Sequence, residues 1–163
     1  MHLLSKTTLI IGGASSGKTK FAENLVLNYS SNPLYIATAQ PHDNEMKRKI
    51  RKHQQSRITF NWETIEAYYD LAEKIDNLNP KSFDIVLVDC LTMWLTNHYL
   101  KGNDIPNELL RLLESIKRIQ TNIVLVTNEI GYGVVPENKM AREFRDLQGE
   151  LNQKIAINAD NVI

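Results

Sequence analysis

The chain has 163 residues, enough for one domain, 1–163, with a real core and little room for a second. Apolar residues make up 42% and charged residues 23%, and 19 basic side chains balance 19 acidic ones, so the formal net charge is zero; that argues against a nucleic-acid binder working through bulk positive charge. The single cysteine, Cys90, excludes an intrachain disulfide or a multi-cysteine metal site and fits a reduced, cytoplasmic setting, while the apolar run near the N-terminus is too short for a signal peptide and no run approaches the ~20 residues of a membrane span.

Read in chain order, "TTLIIGG" (Thr7 to Gly13) is a short apolar run ending in glycines and is expected to be a buried strand. A helix is expected from Lys18 to Tyr29, with Phe21, Leu25 and Tyr29 on one face. "PLYIATA" (Pro33 to Ala39) reads as a second strand, and Asp43 to Ser56 as a polar helix with Asp43 as N-cap. A weakly alternating strand is expected from Phe60 to Ala67 and a short helix from Tyr69 to Leu78. "FDIVLVDCLT" (Phe83 to Thr92) is a continuous apolar strand ending at Asp89, followed by a helix up to Gly102. Ile105 to Ile119 has an amphipathic helical period. "NIVLVTNEIGYGVVP" (Asn122 to Pro136) reads as a buried strand with a glycine-rich exit, and Asn138 to Ile157 as a long helix with Met140, Phe144, Leu147, Leu151 and Ile155 on one stripe. "NADNVI" reads as the start of a further strand.

Strands alternate with helices throughout, and the strands are apolar on both faces. That predicts an α/β protein with a mostly parallel sheet covered on both sides, whose active groups gather after the C-terminal ends of the strands. Gly12, Gly17, Lys18 and Thr19 match G-x-x-x-x-G-K-[ST] between a strand and a helix. The expected fold is therefore a three-layer P-loop NTPase of the RecA-like kind. In such a loop (Gly12, Gly13, Ala14, Ser15, Ser16, Gly17) the backbone N–H groups and the helix N-terminus face the phosphates. Lys18 reaches the β- and γ-phosphates, and the Thr19 hydroxyl is a ligand for Mg²⁺. Asp89, closing "IVLVD", is the acidic partner such a Mg²⁺ needs; the competing reading is an N-cap for the helix that follows. A signalling GTPase would need N-K-x-D after a later strand, and "TNEI" (Thr127 to Ile130) lacks the lysine, so a kinase or nucleotidyl transferase fits better.

Four further features leave two readings each. His53 lies in the basic stretch "EMKRKIRKHQQSR" and, if helical, shares a face with Met46 and Ile50. It is either a packed histidine on a solvated helix or a nucleophile attacking phosphorus with cations nearby; His2, His42 and His98 have weaker context. Glu63 and Glu66, three apart on a strand, face opposite ways, so one of them can meet a nucleotide. "NEIGYGVVP" is either a substrate loop or a plain connection. Arg142 and Arg145 either hold phosphate or solvate the long helix.

"LIIGGASSGKTKFAE", "YIATAQPHDNEMKRKIRKHQQSR", "WETIE", "VLVDCLTMWL" and "VTNEIGYGVVPENKMAREFRDLQGELNQKIAINAD" together cover nearly the whole chain. In this order they resemble the bifunctional adenosylcobinamide kinase / adenosylcobinamide-phosphate guanylyltransferase family of cobalamin biosynthesis. The phosphate loop is shared by many families; "NEIGYGVVPENKMAREFRDLQG" is far more specific. The resemblance implies phosphorylation of the aminopropanol arm of adenosylcobinamide from ATP or GTP, then transfer of GMP from GTP through a guanylylated histidine to adenosylcobinamide phosphate. It implies that His53 is that histidine. It further implies that Gly12 to Thr19, Ala37, Thr38, Ala39, Gln54, Gln55, Ser56, Arg57, Glu66 (in preference to Glu63) and Asp89 contact nucleotide, and that the protein is a homo-oligomer, trimeric as in relatives. The rival readings are a single-function P-loop small-molecule kinase and a RecA-like ATPase module acting on nucleic acid or a protein partner.

Overall fold

The computed structural model describes residues 6–41 and 60–163. The expected helix from Asp43 to Ser56, together with His2, His42, His53 and Gln54, Gln55, Ser56 and Arg57, lies outside the described residues. Within them the order is β1 (Thr7–Gly12), α1 (Lys18–Leu27), β2 (Pro33–Ala37), β3 (Glu63–Glu66), α2 (Leu71–Asp76), β4 (Ile85–Asp89), α3 (Leu91–Lys101), α4 (Ile105–Arg118), β5 (Asn122–Asn128), α5 (Lys139–Asn158) and β6 (Asn161–Val162).

The strands form one sheet in the order β3-β2-β4-β5-β1-β6, and every pairing is parallel. Side chains alternate between its two faces. Leu9, Leu34, Ile36, Val86, Val88, Ile123 and Leu125 face one core with α2, α3, α4 and α5. Ile10, Tyr35, Ile85, Leu87, Val124 and Val126 face the other with Ala22 and Val26 of α1. Both faces are dry because helices cover both, which is why the strands read as unbroken apolar runs. The three-layer expectation holds.

Local chemistry sets the boundaries. Asp104 caps α4, its carboxylate accepting from the Asn107 N–H at 3.2 Å, with Pro106 in the first turn and Lys117 and Arg118 in the last. Gly102 ends α3 in the left-handed region at φ 74. Asn138 caps α5 through the Ala141 N–H at 3.3 Å.

Two apolar stripes do not face the core along their whole length. On α1, Phe21 and Tyr29 are exposed and Leu25 is only partly buried, whereas Ala22 and Val26 are buried. The helix lies against β1, β4 and β5, and small side chains let its axis approach where large rings would not fit. On α5, Met140 is exposed; the stripe packs only from Phe144 onward, because the first turn extends past the core. The strand that starts at Asn122 ends at Asn128, and its glycine-rich exit, residues 129–138, is a loop, as expected.

Candidate active site

The phosphate loop leaves β1 and enters α1 through Gly17 at φ 89, with Ser15 also at positive φ. Gly17 suits its place because the left-handed turn costs a residue with a Cβ about 1–2 kcal/mol. At Gly12 the constraint is steric: a Cβ there would lie 2.6 Å from Ser16 Oγ and would make that hydroxyl turn away. The Ser16 N–H donates to Gly13 O at 3.3 Å. Lys18 Nζ folds back to donate to Gly13 O at 2.9 Å, an acceptor it can exchange for a phosphate oxygen. Gly13, Ala14, Ser15, Ser16 and Gly17 are exposed, and Thr19 is half-buried in the first turn of α1.

Asp89 is the last residue of β4, not the cap of α3; Cys90 holds that place and makes no side-chain capping bond. The Tyr35 hydroxyl donates to Asp89 Oδ2 at 2.8 Å, which fixes the carboxylate at the sheet edge. Burial first, and the Asp89 charge second, push the Cys90 thiol up to about 12, so it stays protonated. Glu66, Ala37 and Asp89 stand side by side across β3, β2 and β4. Glu66 is exposed and hydrogen-bonded to the Tyr68 hydroxyl, which burial and this carboxylate push up to about 12. Glu63, also exposed, sits at the opposite end of β3.

The buried Thr38 hydroxyl donates to Cys90 O at 2.7 Å and accepts from the Cys90 N–H at 2.8 Å, tying the exits of β2 and β4 together. Asn97 Nδ2 donates to Thr38 O at 2.8 Å and to Tyr68 O at 3.0 Å. His98, buried, bonds Tyr69 O and Asn103 and packs on Trp94. Burial lowers its pKa, and it serves structure rather than chemistry. A second polar cluster lies under the β5 exit. Thr127 Oγ1 donates to Asn152 Oδ1 at 2.8 Å and accepts from Gln148 Nε2 at 3.0 Å. Asn152 Nδ2 donates to Asn128 O at 3.0 Å, and the Asn128 N–H donates to Thr92 Oγ1 at 2.8 Å.

Arg142 does not reach toward the phosphate loop. Its Nη1 donates to Pro136 O at 2.7 Å and Glu137 O at 2.6 Å, while Arg145 pairs with Asp146 at 3.0 Å. The structure thus gathers the phosphate loop, Ala37, Thr38, Ala39, Glu66 and Asp89 along one edge of the sheet. Tyr35, Asn97 and the Thr127 cluster escape a reading of the sequence. The one signal for them was a polar atom inside an otherwise apolar strand or helix face, and such atoms are as often mere core partners.

Among the described residues no group of three or more His, Cys, Asp or Glu side chains could hold a metal ion. The oxygen donors Asp89 and Thr19 fit Mg²⁺, which takes one or two protein oxygens and completes its shell with phosphates and water. No helix among the described residues is long and apolar enough to cross a membrane.

The family profile described as cobinamide kinase / cobinamide phosphate guanyltransferase matches residues 8–163. The bifunctional adenosylcobalamin biosynthesis protein CobU of Escherichia coli K12 is 39% identical over 94% of this chain and 92% of its own. Its Salmonella typhimurium counterpart is 38% identical with the same coverage, and CobP of Pseudomonas aeruginosa is 40% identical over 94% of this chain and 89% of its own. In fold the chain is also similar to the flagellar accessory protein FlaH of Methanocaldococcus jannaschii, at TM-score 0.52 and 13% identity over 96% of this chain and 69% of that one. A type III secretion system ATPase superimposes at TM-score 0.57 and 9% identity, over 96% and 50%. These two likenesses show a shared RecA-like P-loop architecture.

Proposed function

We propose a division of labour among residues from one premise: this chain belongs to the cobinamide kinase / cobinamide phosphate guanyltransferase family. It is a bifunctional transferase of adenosylcobalamin biosynthesis, a kinase for adenosylcobinamide and a guanylyltransferase for its phosphate. The observation that carries the reading is the match over residues 8–163, joined to a phosphate loop on the edge of the parallel sheet where β4 and β2 also end, at Asp89 and just before Thr38.

In the kinase step, the loop N–H groups and Lys18 hold the β- and γ-phosphates of ATP or GTP while the aminopropanol hydroxyl of the corrinoid attacks the γ-phosphorus and the nucleoside diphosphate leaves. Positioning and charge stabilisation are most of what a protein supplies to such a transfer. In the second step, neutral His53 attacks the α-phosphorus of GTP, forming a P–N bond as the bond to pyrophosphate breaks. The phosphate of adenosylcobinamide phosphate then displaces the histidine, giving adenosylcobinamide-GDP. The covalent intermediate divides one hard displacement into two. Thr19 and Asp89 would hold a Mg²⁺ ion that neutralises phosphate charge, with Tyr35 fixing the carboxylate. Ala37, Thr38, Ala39, Glu66 and residues 54–57 would contact the guanosine moiety. The protein works in the cytoplasm as a homo-oligomer, trimeric by resemblance to its family.

Incubation with α-labelled GTP and Mg²⁺ followed by denaturation should leave acid-labile, base-stable label on the protein, and His53→Ala should abolish it. A wild-type protein that phosphorylates adenosylcobinamide but never carries label would overturn the histidine scheme and leave a single-function kinase.

A further inference from the structure

We propose that the exit of β5 is the corrinoid-docking surface. A cleft between residues 129–131 and α5 takes carboxamide arms of the substrate, and the exposed Tyr132, Val134 and Val135 take the apolar face of its macrocycle. The inference rests on the function above, which supplies the substrate class but no place for it.

Position comes first. The attacking hydroxyl sits on a short arm of the corrinoid, so the macrocycle must dock within reach of the phosphate loop. The β5 exit is joined to that loop: Asn128 stands in register with Gly12, and the Glu129 N–H donates to Gly12 O at 3.1 Å.

The cleft has the chemistry for amides. It encloses about 370 Å³ and is lined by Glu129, Ile130, Gly131, Arg145, Gln148 and Gln153 among others, which is small for a macrocycle and ample for one of its arms. Gln148 is 1% exposed, and its Oε1 has no hydrogen-bond partner among the described residues; neither does the buried Oδ1 of Asn128 on the strand beside it. A buried acceptor left unmade costs about 1–3 kcal/mol. Primary carboxamides, which ring the corrin perimeter, bring two N–H donors each and accept as well.

The apolar half lies in the chain that continues from the cleft. Tyr132 and Val134 are each 95% exposed and Val135 63%, whereas Val26, Val86, Val88, Val124 and Val126 are fully buried. Contiguous exposed apolar side chains mark interaction surfaces. This segment is held at both ends, by the Glu129–Gly12 bond at its start and by Arg142 at Pro136 and Glu137. Its apolar side chains are therefore presented outward from fixed anchors. An apolar strip beside an amide-binding cleft, tethered to a phosphate cradle, matches a ligand with an apolar face, an amide rim and a hydroxyl to be phosphorylated.

The test uses the full chain and adenosylcobinamide, with binding read by equilibrium dialysis and corrin absorbance. Tyr132→Ser/Val134→Ser changes only exposed positions and should raise the dissociation constant at least about fivefold through lost apolar burial. Gln148→Met should weaken binding in the same direction. Labelling from α-labelled GTP involves no corrinoid, so it should stay within about twofold in the serine double variant and reports on the function separately. A smaller than fivefold rise in the double variant overturns the docking site. If that variant instead changes the oligomeric state by light scattering while corrinoid affinity stays put, the strip joins copies of the chain and the proposal falls. Wild-type protein that neither takes label nor binds corrinoid would bring down the functional reading itself.

Discussion

The chain leaves β1 through Gly12 to Gly17 and leaves β5 through Asn128 to Gly133, and the two strand ends lie side by side, Gly12 against Asn128. Both exits carry glycines, yet they are built for different work. The first turns straight into a helix, uses a left-handed glycine to do so, and folds its lysine back over backbone carbonyl oxygen. The second runs ten residues, 129–138, before α5 begins, leaves large apolar side chains in solvent, and stands on a buried cluster of Thr127, Gln148 and Asn152. Glycine after a strand end is thus not in itself a phosphate signal. What makes one is the immediate helix N-terminus behind it, which concentrates N–H donors and positive potential at one point.

The sharpest way to break the comparison is Lys18→Ala. If one cradle serves both displacements, phosphoryl transfer to adenosylcobinamide and protein labelling from GTP should each fall by about 100-fold or more, measured with γ- and α-labelled nucleotide. Loss of one with the other intact would mean separate phosphate sites. Thr127→Val probes the second exit. It removes the hydroxyl between Gln148 and Asn152, and the urea midpoint should report a loss of about 1–3 kcal/mol with the unfolding slope unchanged. The two glycine segments can then be set against each other. Gly17→Ala forces a Cβ into φ 89 and should cost about 1–2 kcal/mol, whereas Gly133→Ala meets nothing within 4 Å and should fall within about 0.5 kcal/mol of wild type in the same melts. Equal costs would mean that the β5 exit is as conformationally constrained as the phosphate loop.

Much of the site was legible because each part announces itself locally. The phosphate loop is a run of consecutive residues, and Asp89 ends an unbroken apolar strand, so both stand out without any partner being known. Glu66 over Glu63 was not readable from spacing: both are exposed on one short strand, and only the pairing of Glu66 with Ala37, beside Asp89, separates them. The inward face of α1 was not readable from the spacing of its large apolar side chains, because the sheet admits the small Ala22 and Val26 instead. Arg142 was expected either to hold phosphate or to solvate its helix; it ties down a loop instead, a role visible only once Pro136 and Glu137 are placed beside it.

The order of strands and helices, the dryness of the sheet on both faces and the triphosphate chemistry follow from the amino-acid sequence by itself. They depend on local propensity, two-residue alternation and a contiguous motif, all of which act over a few bonds. Tertiary structure alone decided the strand order β3-β2-β4-β5-β1-β6 and therefore which strand ends meet. It set the Tyr35 hydroxyl on Asp89, the Asn97 amide across two strand exits, and Glu129, the first residue beyond β5, against Gly12 of the phosphate loop. These are contacts between residues tens of positions apart, and nothing in either partner's neighbourhood along the chain names the other.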